Sequence, residues 1–450
     1  MAAVEGVQLI SDTILPPLYS PSSPPHPLRN AQLPLTPFDM ANYNCHVCIL
    51  YAFRPPMPDD TTMRDSLARA LGYFPLLAGR IVPDDHGHTH VVVNDAGIRL
   101  KEATVPTPLE SHLPFDPSAT FMDLHPHPAE GVEVLLQIQL TRFSCGGITI
   151  GLTSHHRIGD GSAICHFLFT WARLARGLDI EVLPYFDWAT VCTRHDPPTC
   201  DFDHLGVEFK RKDAAAAPQA PVVADVAASL SKMRNVAAHF SKELIAKLKD
   251  KVTGGDPNRR VSTFLCVLTH IWKKTTLARG LPDEAVTKVR VSVNGRQRIK
   301  PPIPTEYYGN LILWAFPKLT AGELLTGSYS YVAQVIRDAV NKVDDRYFKS
   351  FIDFGGLVSA EKGWSEMEHT MPGVAEFLNP NIEFNSWLSL DFHKLDFGSG
   401  TPCEFIPPGL PVEGLMILLP SCGEAGGVDV HMTLEKGHAD TFQQVFHSLD

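Results

Sequence analysis

His155-His156-Arg157-Ile158-Gly159-Asp160-Gly161 sets a histidine and an aspartate four positions apart in a turn bracketed by glycines. An imidazole, with an unperturbed pKa of ~6.5, is the side chain best suited to take up a proton near neutral pH. Two arrangements fit the spacing. In one, Asp160 orients the ring of His156, as in a hydrolytic triad. In the other, Asp160 points away and braces the loop through an arginine, and His156 acts alone. A triad needs a nucleophile, and no GxSxG elbow is present. Ser154 and Ser162 flank the turn without that context. Metal binding is disfavoured, because the two histidines are adjacent and no HExxH or HxH pattern accompanies them. Cys45-His46-Val47-Cys48 lacks the second pair that a zinc site would need.

The elements around the turn must hold it rigidly for such chemistry. Residues 147–154 alternate as a strand, and residues 162–176 carry Ile164, Phe167, Leu168, Trp171 and Leu174 at helical spacing, with Gly177 beyond the end. Upstream, Leu136, Ile138 and Leu140 alternate with polar residues and return through Cys145-Gly146-Gly147, which predicts a hairpin. A strand is predicted at 45–53, and a helix from about Thr61 that stops at Gly72 before Pro75. From 194 to 224 the pattern dissolves into prolines, charges and alanines, which read as a long exposed linker. The chain divides accordingly into domains at 1–193 and 225–450, joined by 194–224. The second half predicts helices from Ser241 and from near Ser262. It also predicts strands at 288–294, 311–316, 387–390, 415–420 and 427–432. The fold class is mixed α/β in two halves.

Four hundred and fifty residues suffice for two or three full cores, and 44% apolar with 20% charged residues is ordinary globular composition. A net charge of −11 argues against a nucleic-acid partner. The N-terminus shows no secretory pattern, and no apolar run approaches the ~18 residues that span a bilayer. Nine scattered cysteines suit reduced thiols, so the expected location is the cytoplasm. Neither GxGxxG nor GxxxxGK[ST] occurs, which leaves nicotinamide and nucleotide binding without support.

The turn resembles the HxxxDG motif of the plant BAHD acyltransferases, which use coenzyme A thioesters. Asp396-Phe397-Gly398-Ser399-Gly400 resembles the family's DFGWG signature, with serine in place of tryptophan. Leu71-Gly72-Tyr73-Phe74-Pro75-Leu76-Leu77-Ala78-Gly79-Arg80 is similar to its YYPLAGR segment. Asn294-Gly295-Arg296-Gln297-Arg298 and Tyr308-Gly309-Asn310 match GRxR and YFGN. These landmarks keep the family's order over nearly the whole chain.

The resemblance implies two chloramphenicol-acetyltransferase-like domains, each a mixed β-sheet flanked by helices, with the active-site channel between them. Acyl-CoA enters as co-substrate and no cofactor or metal is permanently bound. The acceptor attacks in a ternary complex, without an acyl-enzyme. His156 becomes the general base. Asp160 becomes structural, paired with Arg296 or Arg298, and Gly161 belongs to the same turn. The loop carrying Asp396, Gly398 and Gly400 braces the channel, so Ser399 should alter packing more than chemistry. Trp387 would donate its indole N–H to the oxyanion. Ser262 and Thr263 open a helix and match a region that contacts coenzyme A, and a helix N-terminus suits an anion.

Residues 35–43, 51–53, 206–210 and 313–316 resemble the grass enzymes that acylate agmatine, putrescine and tryptamine. Glu383 and Asn385, just before Trp387, would line the acceptor side, where a carboxylate suits a cationic amine. The expected activity is N-acylation of putrescine or agmatine with a hydroxycinnamoyl group. Tryptamine-type amines, O-acylation of an alcohol such as shikimate, a carrier-protein donor, or a non-catalytic binding protein of the same fold are the alternatives. A monomer without nucleic-acid or membrane partners is expected.

Overall fold

The computed structural model describes residues 6–21, 24–83, 89–115, 122–127, 133–212, 223–256, 258–360, 363–407 and 409–449. The alternating segments of the first half assemble a six-stranded sheet. Its order is Gln8–Leu15, Ile98–Val105, Leu136–Phe143, Ile148–His155, His46–Phe53 and Glu404–Ile406. Leu136–Phe143 and Ile148–His155 form the antiparallel hairpin, and His46 stands opposite His155 on the next strand. Ile49, Tyr51 and Phe53 share a core with Met63, Leu67 and Leu71 of the Asp60–Tyr73 helix and with Phe167, Leu168 and Trp171 of the Gly161–Ala175 helix. The last strand comes from the second half of the chain and closes the sheet beside His46–Phe53.

The second large sheet has the order Met233–Phe240, Val428–Glu435, Leu415–Pro420, Ile382–Ser386, Val286–Asn294 and Ile312–Ala315. Lys318–Thr320 also pairs with Val286–Asn294. Side chains alternate across a strand. Ile382, Phe384, Met416, Leu418, Val430 and Met432 pack into one core with the Lys242–Thr253 and Thr263–Arg279 helices. Leu415, Ile417 and Leu419 point the other way, into the core of the first half. Glu383 and Asn385 stand in register with Leu415 and Ile417, so they are carried on the face turned toward the first half. Two mixed sheets with flanking helices thus enclose a shared interface.

Three sequence expectations are corrected. The strand predicted at 387–390 is Ile382–Ser386, and Trp387 follows it, held by its backbone N–H on Leu418 O at 2.9 Å. Its polar alternate residues concealed it. Helices begin one residue earlier than predicted, at Asp60 and Gly161, because Asp59 and Asp160 cap them. The predicted exposed linker is in large part tied down. His204 and Glu208 are each 1% exposed. His204 shares hydrogen bonds of 3.0 Å with Glu208 Oε2 and with Ser350 Oγ, and Tyr347 donates to Glu208 Oε1 at 2.8 Å. Asp353 accepts the backbone N–H groups of His195 and Thr199. The segment is strapped to the Asp345–Ala360 helix by polar groups that hydrophobic periodicity cannot register. Residues 213–222 of it lie outside the described residues.

The cysteines are free thiols, and burial pushes Cys45 up to about 11 and Cys48 up to about 12, which makes the CxxC pair poor in thiolate. Among the described residues no cluster of three or more histidine, cysteine or carboxylate ligands occurs. No described helix is long and apolar enough to cross a membrane.

Burial pushes His155 down to about 3, and His270, His369 and His431 down to about 4. The unfolded chain therefore binds protons at these sites from pH ~6.5 downward while the native state does not. Their contribution to stability is complete above pH ~6.5 and is lost as the pH falls toward 4. Glu404, raised to about 7 by burial, Asp39, raised by burial, and His239, raised despite burial by its hydrogen bonds to Asp429 and Glu424, work in the opposite sense but are fewer than the histidines lowered by burial. Thermal melts should show Tm declining steadily from pH 7 to pH 5, and a flat or rising Tm would contradict this account.

Candidate active site

The Ile148–His155 strand runs directly into a single 3-10 turn, His156–Ile158, and then into the Gly161–Ala175 helix. Asp160 terminates the turn by capping that helix. Its Oδ1 accepts Ser162 N at 3.0 Å and Ala163 N at 3.1 Å. Arg296 grips the same carboxylate with both guanidinium ends, Nη1 to Oδ2 at 2.7 Å and Nη2 to Oδ1 at 3.1 Å. Leu311 N adds a donor to Oδ2 at 3.1 Å. Both side chains of the pair are nearly inaccessible, at 3% for Asp160 and 2% for Arg296. Of the two arginines in the Asn294–Arg298 segment, Arg296 makes this pair. With five donors on two oxygens, Asp160 has no capacity left to orient an imidazole. Gly161 lies close under Leu390: a Cβ there would sit 2.6 Å from Leu390 Cδ1, so the leucine tip would have to shift.

His156 is held through its backbone. Its N–H donates to Cys45 O at 3.0 Å, and its carbonyl accepts from Asn310 Nδ2 at 2.8 Å. Asn310 Nδ2 also donates to Asp39 Oδ1 at 2.9 Å. Asp39 is itself fixed by a capping box with Thr36, which opens the Pro37–Ala41 helix. The buried Nδ1 of His156 has no hydrogen bond among the described residues. Burial lowers its pKa below the usual histidine value, partly offset by the charges of Asp160 and Glu383. The imidazole is neutral at pH 7 and able to accept a proton. His155 plays a different part: its Nδ1 accepts Arg157 N at 3.3 Å and shapes the turn.

Facing this ring is Tyr43, whose centroid lies 6.0 Å from that of His156. The Tyr43 hydroxyl donates to Glu383 Oε2 at 2.9 Å, and Asn385 Nδ2 donates to Glu383 Oε1 at 3.0 Å. Glu383 is 1% exposed, so it is not a solvated surface carboxylate. Trp387 is half-buried against Phe392 and Phe405, at 5.5 and 6.2 Å, and its indole N–H makes no hydrogen bond among the described residues.

Farther away, Ser262 caps the Thr263–Arg279 helix, its Oγ accepting Leu265 N at 3.2 Å, which leaves Thr263 in the first turn. In the Asp396–Gly400 loop, Asp396 Oδ1 accepts Gly398 N at 2.7 Å and Gly400 N at 2.9 Å. Both glycines have positive φ, 114° and 91°. Phe397 fills the core against Trp171 at 4.9 Å, while Ser399 reaches only Met57 Sδ at 3.0 Å. The loop closes on its own aspartate and does not reach the His156 turn.

Sequence reasoning left Asp39, Tyr43 and Asn310 without roles. Thr36-Pro37-Phe38-Asp39 has capping-box spacing and could have flagged Asp39. Nothing local marks Tyr43, whose partner lies 340 positions away.

Asp160→Asn keeps the helix cap but removes the charge facing Arg296. It should cost ~3–5 kcal/mol of stability by stranding a buried guanidinium. Adding Arg296→Met should recover part of that loss. Denaturant unfolding of the two variants checks this, and a single variant as stable as the parent would refute it.

A family model described as the transferase family matches residues 21–449. The chain is 39% identical to agmatine hydroxycinnamoyltransferase 1 of Oryza sativa subsp. japonica over 93% of both sequences. It is 38% identical to tryptamine benzoyltransferase 1 of the same plant over 96% of both. The crystal structure of vinorine synthase superposes with a TM-score of 0.73 at 21% identity, covering 98% of this chain and 100% of that one. With its fold and its sequence agreeing on the same group, the chain belongs to the BAHD transferase family and is an acyltransferase.

Proposed function

We propose that the protein transfers a hydroxycinnamoyl group from coenzyme A to the nitrogen of an aliphatic amine such as putrescine or agmatine. The observation that carries this reading is Glu383, a buried carboxylate one tyrosine away from the base and without a cationic partner among the described residues. A buried charge is costly unless it is paired, and an amine acceptor supplies the missing cation. Relatives that bear the names agmatine hydroxycinnamoyltransferase and putrescine hydroxycinnamoyltransferase, at 39% and 37% identity, support it. A tryptamine-type acceptor is the second reading, favoured by the benzoyltransferase relative at 38% identity.

In the proposed reaction the neutral amine attacks the thioester carbonyl while His156 takes a proton from the nitrogen. The tetrahedral intermediate collapses by expelling the sulfur of coenzyme A, which recovers that proton from His156. No acyl-enzyme forms. On this reading Trp387 donates its indole N–H to the oxyanion, and Ser262 and Thr263 serve the coenzyme A end. Asp160 and Arg296, with the loop of Asp396, Gly398 and Gly400, hold the frame. Residues 1–193 and 225–450 are on this reading the two domains, joined through 194–224, with the Glu404–Ile406 strand of the second completing the sheet of the first.

Incubation with p-coumaroyl-CoA and a panel of amines and alcohols tests the acceptor class, and turnover with alcohols alone would defeat the proposal. His156→Ala should lower kcat/KM by ~10²–10⁴-fold. An amine with pKa ~10.4 alone gives log kcat/KM a slope of one over the neutral range. Protonation of His156 should steepen that slope only below pH ~6.5, because burial depresses its pKa. A second break at or above pH 6.5 would contradict the assignment of the base.

A further inference from the structure

We infer that Tyr43 determines which amines are accepted, by holding Glu383 at a set reach from His156 so that the carboxylate binds a second cationic group of the acceptor. The inference rests on the amine reading proposed above. Glu383 is 1% exposed, and among the described residues neither lysine nor arginine pairs with it. Arg290 stands directly opposite on the neighbouring strand, yet its guanidinium is turned to Thr370 O at 2.7 Å, Thr370 Oγ1 at 3.2 Å and Met371 Sδ. Tyr43 and Asn385 each donate to one carboxylate oxygen, and each oxygen keeps a lone pair for a further donor. The site is one positive charge short of neutrality and two donors short of saturation.

The reacting nitrogen is a poor candidate for that charge. A carboxylate beside it would stabilise its ammonium form and oppose attack on the thioester. The Tyr43 ring separates the two tasks, lying 6.0 Å from the imidazole while its hydroxyl aims the carboxylate. In extended putrescine, five bonds of about 1.5 Å place the nitrogens about 6 Å apart. On the proposed reading, a diamine or its guanidino analogue presents a neutral nitrogen to His156 and a cation to Glu383. A monoamine leaves the carboxylate unpaired.

Steady-state kinetics of the full-length protein with p-coumaroyl-CoA would test this, using n-butylamine, 1,3-diaminopropane, putrescine and cadaverine. The wild type should favour putrescine over n-butylamine by about tenfold or more in kcat/KM, chiefly through KM, as expected for one charged hydrogen bond. Tyr43→Phe keeps the ring and deletes the hydroxyl. It should flatten the dependence on diamine length and reduce the putrescine-to-butylamine ratio about tenfold. Glu383→Gln, which preserves shape without charge, should reduce the same ratio. Amine turnover with a ratio and length profile that neither variant changes would overturn the inference while leaving the amine reading intact. Turnover of alcohols alone would overturn both.

Discussion

Five N–H donors from three separate stretches of chain converge on the carboxylate of Asp160, and the His156 turn takes its observed shape from them. Two come from the helix that Asp160 caps. Three come from residues 296 and 311, in the second half of the molecule. Arg296 Nη2 also donates to the carbonyls of Tyr307 and Gly309, which anchors the segment that carries Asn310. Asn310 closes the circuit on the carbonyl of His156. A single buried ion pair thus sets the position of His156 from two directions. Burying such a pair is not in itself strongly stabilising. What it supplies is a fixed link between the two halves, since each of the two buried charges is paired by the other.

This division of labour accounts for the electrostatic state of His156. A triad aspartate would raise the imidazole pKa and hold one nitrogen. Here the nearest carboxylate is saturated by other donors, and burial prevails, so the ring stays neutral. The cost falls on proton affinity, which on the proposed mechanism is tolerable because the expelled thiolate accepts the proton back within the same turnover.

How much of this was legible in the sequence follows from range. The His156 turn, the flanking strand and helix and the first hairpin were readable because alternation, helical spacing and glycine turns are local signals. The strand at Ile382–Ser386 was not, because Glu383 and Asn385 interrupt its apolar pattern on the face that serves the site. The strap at 195–209 was missed for a related reason: its order comes from His204, Glu208 and Ser350 pairing across 146 positions, not from hydrophobic burial. Asp160 was identified, but choosing Arg296 over Arg298 required coordinates. Polar groups that hold a site together form their partnerships in space, and composition does not carry them.

The same reasoning explains why the acceptor is written so faintly. Removing a proton from an amine requires a neutral base close to the nitrogen and no anion beside it, whereas attracting an amine requires an anion. Those demands conflict at one position and agree only at a distance. An alternating strand meets both, since Glu383 faces the interface from the second sheet while His156 enters from the first. Beside both stands an aromatic ring whose hydroxyl touches the carboxylate and whose centroid lies 6.0 Å from that of His156. On the proposed reading, specificity for a dication is then a consequence of separating the attracting charge from the reacting atom. Tyr43 keeps them apart.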